Sequence, residues 1–137
     1  MQTFDVQSVE IDAPFARAFD YIADPANLPR WTGAFKSVRD GRAMMQTPAG
    51  STEVALAVDS SHKHGTIDWS MTFPDGSVAK AYSRLIDKSG KCIYSFVLMA
   101  PPVPLEQLEG ALAQQSRTLS EELNTLRKVL GADPSRS

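Results

Sequence analysis

The side chains in this sequence that could do chemistry are few and scattered. His62 and His64 would share one face of a strand, a spacing that lets two imidazoles hold a metal. No third ligand stands nearby, and His62-Lys63-His64-Gly65 reads as a polar turn, so no metal is expected. Cys92 follows Lys91, which would lower its thiol pKa, but no histidine is placed beside it and the expected role is that of a small hydrophobe. Asp68, Tyr82 and Arg84 would make an acid/base group only if all three faced inward. Trp69, Met71 and Phe73 alternate and could stack on a flat apolar ligand, although plain core packing serves them equally well. Trp31, after Pro29-Arg30, could form a lip of a pocket mouth or simply anchor a helical corner. Gln115 is the sharpest candidate, because it occupies a slot where a leucine is expected, and a buried amide must find a hydrogen-bond partner. No catalytic residue is assigned.

That slot belongs to the dominant element. From Pro104 to Leu130 the leucines Leu105, Leu108, Leu112, Leu119, Leu123, Leu126 and Leu130 recur in steps of three and four, with the one gap filled by Gln115. The stretch predicts a helix roughly 40 Å long, leucine-rich at both ends and small or polar at its centre, Gly110 to Ser116. Such a helix suits the sealing of a cavity. Near-heptad spacing would equally suit a helix dimer.

Composition narrows the class. A chain of 137 residues is long enough for one domain with a sizeable core, and its single cysteine excludes an internal disulfide. The net charge of -2, with scattered basic residues, gives no footprint for nucleic acid. No apolar run approaches the ~20 residues of a membrane helix, and Met1 to Ile11 lacks a signal-peptide pattern, so a cytoplasmic protein is expected without membrane insertion.

The elements that must position these residues follow in order. Thr3 to Ile11 predicts a strand with a bulge near Gln7 and Ser8, because Phe4 and Val6 are out of phase with Val9 and Ile11. Asp12-Ala13-Pro14 starts a short amphipathic helix, and Asp24-Pro25 starts a second that Pro29 ends before Trp31. Six strands follow: Phe35 to Arg39, Ala43 to Thr47, Ser51 to Asp59, Gly65 to Phe73, Ser77 to Asp87 and Lys91 to Ala100. Short connections make neighbours antiparallel.

Turn chemistry then sorts the faces. Pro74-Asp75-Gly76 suits a three-residue loop that pairs Phe73 with Ser77, Met71 with Ala79, Trp69 with Ala81 and Ile67 with Ser83 on the inner face. A two-residue turn would instead bring Tyr82 and Arg84 inward. The loop after Asp87, treated alike, turns Ile93, Ser95, Val97 and Met99 inward and leaves the bulky Tyr94 and Phe96 outside. That conflicts with burial unless a bulge intervenes or a second subunit covers the outer face. Val54, Leu56 and Val58 read as inward.

The runs Val9-Glu10-Ile11-Asp12-Ala13-Pro14, Ala18-Phe19-Asp20-Tyr21-Ile22-Ala23-Asp24-Pro25 and Leu28-Pro29-Arg30-Trp31, with this element order, resemble the START-like, helix-grip superfamily. It is also called SRPBCC and includes polyketide cyclase/dehydrase-like proteins. The resemblance implies an α+β fold: a curved antiparallel sheet of about seven strands, two short helices after the first strand, and a long C-terminal helix over the concave face. It implies a cavity, but carries over no catalytic motif. We therefore expect a single domain over residues 1–131 and a flexible tail over 132–137. The expected function is binding of a small, mostly hydrophobic molecule between sheet and helix, with no cofactor. Its candidate contacts are Trp31, Leu56, Trp69, Met71, Phe73, Ala81, Ser83, Ser95, Val97, Met99, Leu112, Gln115 and Leu119. A cyclase/dehydratase-like enzyme and an interaction module forming a homodimer are the alternatives.

Overall fold

The computed structural model describes residues 4–33, 35–47, 50–99 and 105–131, with the side chains of 47 and 105–112 outside the description. The chain runs β1 (Phe4–Ile11), α1 (Phe15–Ala23), a 3-10 turn (Pro25–Asn27), α2 (Leu28–Trp31), β2 (Phe35–Arg39), β3 (Arg42–Thr47), β4 (Gly50–Ser61), β5 (Thr66–Thr72), β6 (Val78–Lys88), β7 (Lys91–Met99) and α3 (Leu105–Gly131). The strands form one seven-stranded antiparallel sheet in the order β1-β7-β6-β5-β4-β3-β2. This is the helix-grip arrangement, a curved sheet with two short helices early and one long helix last.

Local chemistry explains the corner between β1 and β2. Asp24 Oδ1 accepts from Ala26 N at 3.0 Å and Pro25 opens the 3-10 turn, as expected of a cap followed by proline. Pro29 does not end the helix here. It lies in the first turn of α2, where the ring costs no intrahelical hydrogen bond, and the helix continues to Trp31. Leu28 and Trp31 are thereby carried into the core.

Two turns decide the strand faces. Phe73 and Ser77 close the loop over Pro74-Asp75-Gly76 through Phe73 N to Ser77 O and Gly76 N to Phe73 O, both 2.9 Å, with Gly76 at φ +90°. The register that follows pairs Met71 with Ala79, Trp69 with Ala81 and Ile67 with Ser83. The next turn differs from expectation. Ser89 and Gly90 both have positive φ, 49° and 91°, the signature of a two-residue type I′ turn, so Lys88 pairs with Lys91 and Asp87 with Cys92. That one-residue difference reverses β7: Cys92, Tyr94 and Phe96 are buried inward, and Ser95, Val97 and Met99 lie on the outer face.

β1 also departs from expectation. It pairs with β7 without a break from Phe4↔Met99 to Ile11↔Cys92, so there is no bulge at Gln7 and Ser8. Its phase change is real: Val9 and Ile11 turn inward, whereas Phe4 and Val6 are 49% and 51% exposed on the outer face. The sheet's irregularity lies in β2, between Phe35 and Ser37.

α3 runs along β1 and against α2. Leu119, Leu123, Leu126 and Leu130 are buried, each stabilising the fold by about 1.5–3 kcal/mol relative to exposure. Gln115 is exposed, so the slot in the leucine stripe does not point inward, as the drift of a straight helix against a heptad repeat allows. The side chains of Leu105, Leu108, Ala111 and Leu112 lie outside the description.

Candidate functional site

The inner face of the sheet carries a string of rings. Trp31, delivered by α2, meets Tyr94 of β7 edge to face at 6.4 Å; Tyr94 meets Phe96 at 6.3 Å, and Phe96 stacks with Trp69 of β5 at 5.9 Å. Alternation along β7 puts Tyr94 and Phe96 on one face, and the β5–β6 register sets Trp69 against the small Ala81. All four rings are buried. Aromatic pairs at these separations contribute about 0.5–1.5 kcal/mol each beyond their area.

The polar atoms on this string are unusual. Trp31 Nε1, Trp69 Nε1 and Tyr94 Oη are buried with no hydrogen-bond partner among the described residues. Leaving such a donor unpaired costs about 1–3 kcal/mol, so most buried polar atoms are paired. Ser83 is the buried polar residue beside them; its hydroxyl donates to Ile67 O at 2.5 Å. Ser83 is close enough to Tyr94 to favour its anion, but by distance and angle it falls short of a hydrogen bond to Tyr94 Oη. Burial dominates, with the Asp68 charge adding to it, and pushes the Tyr94 phenol far above its ordinary value near 10. At neutral pH Tyr94 is a neutral donor. A fourth unpartnered group, Tyr21 Oη, lies on α1.

The rest of the inner face is apolar and less deeply buried toward one end. Leu56 and Met71 are buried, while Phe73, Ala79, Ala81 and Leu98 are half-buried. Across β1, Gln7 Nε2 donates to Asp5 Oδ2 and to Ser116 O of α3, both at 2.8 Å, joining sheet and helix. Hydrogen bonds from Gln7 first, then the Ser116 hydroxyl, hold the Asp5 carboxyl below its usual range. An open groove of about 340 Å³ lies just beyond, between Gln7, Ser8 and Val9 of β1 and Ser120, Glu121, Leu123 and Asn124 of α3.

Of the candidate contacts, the structure brings Trp31, Leu56, Trp69, Met71, Phe73, Ala81, Ser83 and Leu119 to the interior. It does not bring Gln115, which is exposed, nor Ser95, Val97 and Met99, which the type I′ turn places outside; Leu112 lies outside the described side chains. Tyr94 and Phe96 were missed. Their bulk was the available signal for burial, and against the turn assignment it left the facing of this strand undecided.

The acid/base alternatives fall on other surfaces. Asp68, Tyr82 and Arg84 lie on the outer face. His62 is exposed and packs edge-on against Phe15 and Phe19 of α1 at 5.2 and 4.9 Å, so it covers the corner helix. Cys92 is buried, its Sγ 3.5 Å from Ala13 O, and burial pushes its thiol up, opposite to what activation by Lys91 would require. Among the described residues no helix is long and apolar enough to cross a membrane.

Comparison with known proteins agrees with this architecture. XoxI from Bacillus cereus superposes with a TM-score of 0.69 at 13% identity, covering 94% of this chain and 96% of that one. A START superfamily protein from Mycobacterium smegmatis gives 0.64 at 12% identity, covering 94% and 99%. The Zhui aromatase/cyclase from Streptomyces gives 0.62 at 11% identity, covering 93% and 91%. At these identities the likeness is one of fold. No curated protein matches by sequence. The sequence model described as polyketide cyclase / dehydrase and lipid transport, however, matches residues 1–131, and the chain belongs to that family.

Proposed function

We propose that the concave interior takes up a small, mostly hydrophobic molecule, held between the inner face of the sheet and α3 by Trp31, Leu56, Trp69, Met71, Phe73, Ala81, Ser83, Tyr94, Phe96 and Leu119. One observation carries this reading: buried donors on Trp31, Trp69 and Tyr94 have no partner among the described residues. A core selected for stability alone would fill those positions with phenylalanine or leucine. Residues 1–131, the span of the family match, are taken as the single domain responsible. Calorimetric titration with tetralin and with its ketone, α-tetralone, tests the reading. Saturable binding of about one molecule per chain by either supports it; no binding of either contradicts it.

A cyclase-like activity is the second reading, favoured by the buried phenol of Tyr94 in the interior. Its phenol is held neutral, which suits donation of a hydrogen bond and not proton abstraction. Binding therefore ranks ahead of turnover. The partner we propose besides the ligand is a second copy of the chain. The outer face presents a continuous apolar strip, Val6–Val97–Tyr82 across three strands with Phe4–Met99 beside it. An exposed strip of this kind on the edge strand β1 and its neighbours favours self-association. Sedimentation velocity should give a dimer that Val6→Lys returns to monomer; a wild-type chain monomeric at ~50 μM would remove this partner.

A further inference from the structure

The inference concerns the chemical class of ligand and rests on the binding reading above. The three ring groups are alike in one respect: each has a hydrogen to offer, the two indole N–H groups as donors only and the Tyr94 phenol because it retains its proton. Among the described residues no cation accompanies them. The charged side chains at inward positions of the described strands are carboxylates: Asp5, bound by Gln7, and Asp87, paired across the strands with Cys92. Arg17 of α1 donates from its guanidinium to Leu130 O at the end of α3, at 2.7 Å. An anionic ligand would be desolvated there without a counter-charge.

We propose that the interior is selective for uncharged, ring-shaped molecules bearing carbonyl or ether oxygens, which Tyr94 Oη and the indole N–H groups of Trp31 and Trp69 read as acceptors. The four buried rings supply the flat apolar contact, and the donors supply the discrimination. A ligand lacking oxygen leaves them unpaired; an oxygen placed against Tyr94 pairs one of them at no further cost in buried polar groups.

Three ligands of one shape separate the terms: tetralin, α-tetralone and tetralin carboxylate, titrated calorimetrically into the wild-type chain and into Tyr94→Phe. The expected result is about tenfold tighter binding of α-tetralone than of tetralin. Tyr94→Phe should weaken α-tetralone about tenfold and leave tetralin within about twofold. Tyr94→Phe removes a hydroxyl that has no partner, so the fold is retained; Trp69→Phe gives a second, independent loss of the preference. Equal binding of tetralin and α-tetralone by the wild-type chain would overturn the selectivity while leaving the binding function intact. So would a preference that survives in both variants, or tighter binding of the carboxylate than of the ketone. Failure of tetralin and α-tetralone alike is the outcome that contradicts the binding function itself.

Discussion

Tyr94 concentrates the cost and the use of this interior in one side chain. Its hydroxyl is fully buried, without a hydrogen-bond partner among the described residues, and held in the protonated form by burial. A group whose folded pKa is raised contributes no penalty below its ordinary value near 10, but above it the unfolded chain releases a proton that the folded chain keeps. Stability should therefore fall as pH rises past 10. Tyr94→Phe should gain about 1 kcal/mol at neutral pH by removing an unsatisfied group, and should lose most of that alkaline dependence. Urea denaturation at pH 7 and pH 10.5 checks both, and destabilisation by this change would mean that the hydroxyl has a partner. At this scale the sequence was a poor guide. Gln115 stood out because a heptad template was laid on a helix with a different period, and it is exposed. Tyr94 looked external because its facing hung on a single turn.

At the scale of elements, turn chemistry set the sheet. Pro74-Asp75-Gly76 was legible, since proline, aspartate and glycine each suit one position of the loop, and the register of Trp69 and Met71 followed. Ser89-Gly90 was not, because serine at positive φ is uncommon and the loop Asp87-Lys88-Ser89-Gly90-Lys91 fits either length. Gly65 is a third such position, and its reason is contact. It takes Leu85 N onto its own carbonyl at 2.7 Å, and a Cβ there would run into the Leu85 carbonyl oxygen. Gly65→Ala should cost more than about 2 kcal/mol, from the clash and from φ +74° together. Gly90→Ala provides the control: it shares the positive φ but has open space around it, so its loss should be smaller. Equal losses in thermal unfolding would mean that the close approach at Gly65 adds nothing.

At the scale of the molecule, element order was readable from periodicity and punctuation, because a change from helical to strand period and a helix bounded by proline and glycine survive errors of a residue or two. Which face of β7 is inner did not survive such an error, and with it went the aromatic centre of the site. The fold also leaves two kinds of apolar surface, one inside under α3 and one outside over β1, β7 and β6. Only the inner one combines rings with unpaired donors. That pairing makes the interior the functional surface in this account.

The chain contains just two tryptophans, Trp31 and Trp69, and both lie in the proposed site. The indole region of a proton–nitrogen correlation spectrum therefore reports on nothing else. Titration with α-tetralone should move both indole N–H resonances along one saturable curve, downfield as the unpaired donors gain an acceptor. Indole resonances that stay fixed, while the protein remains folded and the ketone is raised to its solubility limit, would contradict the binding of a small molecule in this interior.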